Sequence, residues 1–402
     1  MAETAARASR TDFDPFSDAA LRDPYPGYAM LRGLGPVVWL ERYDAWCLPR
    51  HAEVMAVLQD WSTFCSGRGV GLTDFAKEPP WRLQSLILEA DPPLHTRTRS
   101  VLSRVLSPAA LKSMTTAFQA EATRLVDRAL QLGDIDGVTD LAEAFPLKVF
   151  ADAMGLPEAG REHLLTYGDI AFNAFGPRNG VLEAAMRGSE TAVAAVLANC
   201  RREVLAPGGL GAQIFAAADA GEVTEHEAGL LVRSFLTAGV DTTASGLGWA
   251  LHALADNPAQ WARLRADPGL ARNAFEEALR FASPVQTFFR TCTRDVELAG
   301  VSLREGDKVL MSLASANRDE DRWENADRFD IARKTGGHLA MGAGIHGCVG
   351  QMLARLEGET LLRELACRVE TLELRGPPTH RINNTLRSLS ALPLRVSAQQ
   401  LA

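Results

Sequence analysis

Cysteine and tyrosine are scarce, 6 and 4 of 402 residues, and aromatic residues make up only 7% of the chain. The cysteines at 47, 65, 200, 292, 348 and 367 show no paired spacing. That excludes a disulfide framework and a Cys-rich iron–sulfur cluster, and it fits free thiols in a reducing compartment, so a cytoplasmic location is expected. There is no excess of positive charge. The net charge of −8 argues against a nucleic-acid partner. No uncharged run reaches membrane-span length, since the most apolar region, 228–251, contains Arg233 and Asp241. No membrane association is therefore expected. The N-terminus has no apolar core of signal-peptide length. No repeat period, charge block or Ser/Gly-rich linker divides the chain. Residues 1–12 are small and polar and are expected to form a flexible tail, with 13–402 as one domain.

What is present is helical periodicity. Ala-, Leu-, Arg- and Glu-rich segments predict helices over roughly 97–130, 140–155, 158–175, 181–204, 224–256, 258–281 and 349–370. Short strand-like runs occur at Val37–Glu41, Ala45–Leu48, Val296–Leu298 and Lys308–Ser312. The pattern predicts a mainly α protein with a small β region, and 47% hydrophobic residues suffice for a large core.

The residues that resist a purely structural account begin at Met341-Gly342-Ala343-Gly344-Ile345-His346-Gly347-Cys348-Val349-Gly350. Glycines let backbone wrap closely around a group. A helix starting near Val349 would aim its free N–H groups and positive dipole end at the sulfur, which favours thiolate over thiol. Such a thiolate suits a haem iron. An ordinary turn or a phosphate loop, with the thiol as a small buried hydrophobe, is the alternative on these residues alone.

A second anomaly lies mid-chain. Thr224-Glu225-His226-Glu227 is a capping box, and the helix it opens is expected to run to about Asp256, roughly 45 Å. Its middle, Ala238-Gly239-Val240-Asp241-Thr242-Thr243, places Gly, an acid and two β-branched alcohols in an apolar run. Thr hydroxyls can bond back to i−4 carbonyls and bend the axis, so a kink with a satisfied Asp is one reading. Ser234, Thr237 and Asp241 form a polar stripe at i, i+3 and i+7, with Arg233 beside it. Elsewhere Glu277 and Arg280 are three apart on one helix face, a spacing common at surfaces. His95 and Arg99 are four apart at a helix start, and Arg290 follows two phenylalanines.

These motifs together resemble the cytochrome P-450 family over essentially the whole chain. The loop is similar to the family's haem-binding pattern at Gly344, His346, Cys348 and Gly350, and departs at Met341, where the family normally carries Phe. The central motif matches the family's oxygen groove at every position. The resemblance implies a P-450 fold in which haem b sits between the long central helix and the cysteine loop. It implies Cys348 as iron ligand, Ala238 and Gly239 making room for dioxygen, and Asp241 and Thr242 as catalytic residues that deliver protons to it. Met341 and Gly350 would contact the cofactor. His95, Arg99, Arg290 and His346 would bind its propionates, for which guanidinium forks are suited. Glu277, Arg280 and Arg328, the last in Ala326-Asp327-Arg328-Phe329, would lock the region beneath the haem.

A closer resemblance, to soluble bacterial monooxygenases of para-substituted benzoates, runs through residues 64–93, 171–177 and 284–290. It implies a haem-thiolate monooxygenase that removes the methyl group of a para-methoxybenzoate or hydroxylates a para-alkyl group. A hydroxylase of another hydrophobic acid such as a cinnamate, or a haem-binding sensor, is the alternative. Phe172, Phe175 and Phe288 could pack a planar ring, with Leu88 and Val285 beside them. Arg82 and Ser85, with Ser234 and Arg233, could hold a carboxylate. Thr237 stands where that subgroup usually has Ser. With no flavin or iron–sulfur motif in the chain, a [2Fe–2S] ferredoxin and a flavoprotein NAD(P)H reductase are the expected partners, and aromatic acid and O2 the substrates.

Overall fold

Thr224 accepts from the Glu227 amide and the Glu227 side chain accepts from the Thr224 amide, so the predicted capping box is made. The helix that follows, Glu225–Ala238, does not run through to residue 256. In the computed structural model, which describes residues 9–398, the axis breaks at Gly239-Val240 and resumes as Asp241–Asp256. The expected single helix is thus two.

The same logic divides other predicted helices. Ser107 caps Pro108–Leu132, with Pro at its first position, and separates it from Leu94–Val105. Asp267-Pro268-Gly269 separates Pro258–Ala266 from Ala271–Ala282. Among the described residues, three helices of nine or more residues went unpredicted, Tyr25–Leu34, His51–Gln59 and Leu210–Asp219. The strands expected at Ala45–Leu48, Val296–Leu298 and Lys308–Ser312 form with those bounds.

Asp241–Asp256 is the axis of the helical body. Almost every side chain on it is buried, which a helix achieves only when neighbours surround it. Leu247, Ala250, Leu251 and Leu254 belong to the main apolar cluster, together with Phe145, Phe275 and Leu361 from three other helices. A six-stranded mixed sheet lies to one side. Its order is Ser9–Thr11, Val38–Leu40, Ala45–Leu48, Lys308–Ser312, Thr287–Cys292 and Phe64–Cys65. Lys308–Ser312 is buried on both faces and pairs in parallel with Ala45–Leu48 and antiparallel with Thr287–Cys292. That last pairing carries Phe288 and Arg290 to fixed positions. The expected tail of residues 1–12 divides: 1–8 lie outside the described residues, and Ser9–Thr11 pairs with Val38–Leu40.

Candidate active site

The cysteine loop closes on itself. The Cys348 amide donates to the Met341 carbonyl at 2.8 Å, and Gly342 and Gly344 take φ of +67° and +64°. A Cβ on Gly344 would fall 2.1 Å from the Leu58 carbonyl oxygen, so only glycine fits there. The helix after the loop begins at Gln351, and the Gly350 amide favours the Cys348 thiolate. Burial nevertheless wins and pushes the thiol up, with Gly350, Arg99 and Arg355 opposing. A coordinated metal would add its charge to Gly350, Arg99 and Arg355 in favouring the thiolate.

Opposite the loop, the broken helix presents its gap. The Thr242 hydroxyl donates to the Ala238 carbonyl at 2.7 Å, spanning the break. Gly239 also has a packing reason for being glycine. A Cβ there would lie 2.3 Å from the Phe150 ring, so helix–helix packing already demands it. Between loop and break lies a cavity of about 770 Å³. Ala238, Gly239 and Thr242 line one wall, and Met341, His346, Cys348 and Gly350 line another.

Three comparisons bear on this arrangement. The family model described as Cytochrome P450 matches residues 209–268 and 269–395. Cytochrome p450 CYP199A2 of Rhodopseudomonas palustris is 57% identical over 385 residues, covering 96% of this chain and 93% of that protein. The chain belongs to the cytochrome P450 family. Cytochrome P450-terp of a Pseudomonas species is 31% identical over 398 residues, covering 92% of this P450 and 93% of its relative. Among solved structures, cytochrome P450 CREJ in complex with (4-ethylphenyl) dihydrogen phosphate superposes with a TM-score of 0.87 at 27% identity, covering 96% and 99% of the two chains. The P450 fold is thus shared, and the chain is a P450 oxidoreductase whose cofactor is haem b.

The residues present fit that cofactor. Haem carries two propionates, and one end of the cavity holds a set of buried donors with too few acceptors. His95 Nε2 and both His346 ring nitrogens have no hydrogen-bond partner. Arg290 is buried and donates only to the Phe289 carbonyl, and burial pushes its guanidinium down to about 10. Burial, then His346 and Arg99, push His95 down to about 4. Asp91 is the one carboxylate nearby, 4.0 Å from His346. Added anions would relieve this excess of positive charge. His95 itself sits behind His346, with ring centroids 4.4 Å apart, and does not line the cavity.

The predicted ion-pair lock is present with one change. Glu277 and Arg280 are fully buried and doubly bonded at 2.8 and 2.9 Å. The third cation is Arg333, whose Nε lies 3.0 Å from Glu277. Arg328 is exposed and contributes only its carbonyl, which accepts from Arg280 and Arg333. The sequence match had fixed on the nearest arginine, whereas the loop curls back to bring the later one to Glu277.

Asp241 does not face the cavity. Its carboxyl packs on Gly168, where a Cβ would fall 2.8 Å from Oδ2, and its Oδ1 lies 3.6 Å from Arg381. It borders a separate void of about 10 Å³, room for about one water, shared with Glu143 and Arg381. Burial, opposed by Arg381, pushes its pKa up to about 7. Sequence reasoning missed Arg381 and Glu143, 140 and 98 positions distant from Asp241, as well as Glu357. That acid lines the cavity on the helix after Cys348; neither oxygen has a hydrogen-bond partner, and burial pushes it up to about 8. An acid seven residues into a helix reads as a surface position.

The remaining predicted residues converge. Phe172, Phe175 and Phe288 meet edge to face, with centroids 5.8 and 5.5 Å apart, and Leu88 and Val285 pack against them. Ser85 Oγ and Ser234 Oγ lie within 3.2 Å. Thr237 lines the cavity with its hydroxyl donating to the Arg233 carbonyl at 2.8 Å. Arg82 stacks on Phe175 at 4.7 Å. Its fork is already held by Glu89, at 2.8 and 2.5 Å, and Glu89 is wholly buried. Arg82, expected to help hold a carboxylate, has a partner within the chain: Glu89, unnoticed in the sequence, takes both of its Nη atoms.

Proposed function

We propose that this P450 is a monooxygenase of aromatic acids, taking a para-substituted benzoate and hydroxylating the para substituent, so that a methoxy group loses its methyl carbon as formaldehyde and leaves a phenol. Arg233 is the observation that carries this reading. It is 7% exposed, its two Nη atoms donate to the Leu83 and Gln84 carbonyls, and its Nε has no partner. Among the described residues no carboxylate lies within salt-bridge distance of it. An uncompensated guanidinium on an apolar cavity is costly and calls for an anion. Ser85 and Ser234 add hydroxyls beside it, and the three phenylalanines form a slot for a flat ring. CREJ, captured with a para-ethylphenyl phosphate, binds a ligand of the same layout, an anion opposite an alkyl group.

Haem held by Cys348 supplies the oxygen-activating chemistry when bound. The chain's own residues do the rest. The acid anchor fixes which carbon faces the cofactor, and that positioning sets regioselectivity. Thr242 and Asp241 stand at the break, where a hydroxyl and a carboxyl near neutral pKa can hold and pass a proton. A sensor would need no such relay. Arg99, Arg290 and His346, which line the cavity, would hold the propionates, with His95 backing His346, and electrons would come from a ferredoxin and its reductase. No described helix is long and apolar enough to cross a membrane.

The test is a spectral titration of the haem-loaded protein with para-substituted benzoates, their methyl esters and cinnamates. The acids should shift the haem toward high spin at lower concentration than the esters. Esters binding as tightly as acids would sink the reading.

A further inference from the structure

The anchor end contains two guanidiniums, on Arg82 and Arg233, and one carboxylate, on Glu89. They form a connected group. Glu89 takes both Nη atoms of Arg82 and the Ser85 amide at 3.1 Å, and the Ser85 hydroxyl meets Ser234 next to Arg233 on the broken helix. Arg233 in turn holds the Leu83 and Gln84 carbonyls of the same loop. Lys308 feels Glu89 too, but Asp74 faces it more strongly and it does not line the cavity.

We propose that Glu89 sets the charge class of the substrate: by pairing with Arg82 it leaves the anchor with a single positive charge in excess, so the cavity selects monoanions over dianions. This rests on the reading of the cavity as an aromatic-acid site. The physical argument is charge balance in a poorly solvated place. One excess cation is neutralised by one carboxylate. A second negative charge on the ligand would meet Glu89, buried and unable to turn to water, and would gain no further cation. Arg82 keeps its place over Phe175 because Glu89 holds it, so the same acid both orients the guanidinium and cancels its charge. Removing the charge of Glu89 while keeping its shape should free that cation for the ligand.

A matched pair of ligands isolates charge from shape. 4-Ethylbenzenesulfonate and 4-ethylphenylphosphonate are both tetrahedral, but the second becomes a dianion above its second ionisation. Dissociation constants of the haem-loaded protein, by spectral titration and calorimetry, should favour the sulfonate over the phosphonate dianion in the native protein. In Glu89→Gln the ratio should move toward the dianion by about tenfold or more. An unchanged ratio in a folded Glu89→Gln protein overturns the assignment. If that variant does not fold, the native protein decides alone. Its affinity for the phosphonate, relative to the non-titrating sulfonate, should fall as the dianion forms, and a flat ratio overturns the proposal. The sulfonate reference cancels titration of the protein's own Asp241 and Glu357. A separate arm compares 4-ethylbenzoate with its methyl ester. Equal binding there fails the aromatic-acid reading itself, whereas a preference for the acid with an unchanged sulfonate-to-phosphonate ratio fails only the role of Glu89.

Discussion

At the scale of single residues, Arg82 and Arg233 differ in what they leave behind when removed. Arg233 donates to two carbonyls and pairs with no acid, so Arg233→Met should weaken benzoate binding by one charged hydrogen bond, about 1.5–3 kcal/mol, and leave ester binding nearly unchanged. Arg82→Ala strands the wholly buried Glu89, and breaking such a pair costs about 3–5 kcal/mol of stability. Denaturant unfolding should show that loss, and Arg82→Ala with Glu89→Ala should recover much of it; an equally unstable double variant would mean the pair is not the cause. Cys348 makes the sharpest residue-level prediction. With Ser in its place the reduced, carbon-monoxide-bound protein should lose the long-wavelength Soret band of a thiolate ligand. A normal band in Cys348→Ser would assign the ligand elsewhere.

At the scale of elements, the broken helix joins packing to chemistry. The Gly239 backbone meets the Phe150 ring, so Gly239→Ala should cost about 1–3 kcal/mol through overpacking, and Phe150→Leu should restore stability in the same protein. Failure of that rescue would show that the glycine answers to something else. The helix carrying Glu357 adds a pH dependence. Its acid is raised from the ordinary 4.5 to about 8, so the native state binds the proton more tightly than the unfolded chain does. Its stabilising contribution is therefore full below 4.5 and is lost as pH rises through about 8. Native protein should lose stability across that window relative to Glu357→Gln, and parallel curves for the two proteins would contradict a buried neutral acid. These elements also mark what was legible in sequence. The capping box at Thr224 is a local pattern and is made as read; the cysteine loop and the Ala238–Thr243 motif, also local, both line the cavity. The bend at Gly239 was readable too, from the Thr242 hydroxyl that bonds back to Ala238, whereas the exchange of Arg328 for Arg333 and the pairing of Arg82 with Glu89 depend on which distant or looped segment arrives alongside. No spacing within a window encodes that.

At the scale of the whole molecule, two kinds of electrostatics operate and salt separates them. The substrate anchor is buried: Arg233 is 7% exposed, and Glu89 is sealed beneath Arg82. Charges in such places are weakly screened. The electron donor meets the outside. The chain has no flavin or iron–sulfur motif of its own, and its net charge of −8 gives no general attraction for an acidic ferredoxin. Docking of such a donor would then need a local cationic patch. Encounters steered by exposed charges slow steeply as the Debye length shrinks from about 10 Å at 0.1 M salt to about 3 Å at 1 M. With a ferredoxin and reductase supplied, turnover should therefore fall strongly with added salt while the benzoate dissociation constant barely moves. Parallel loss of both would place the anchor in solvent, against its burial. Full turnover with NADH and the purified chain alone would remove the need for a donor protein altogether.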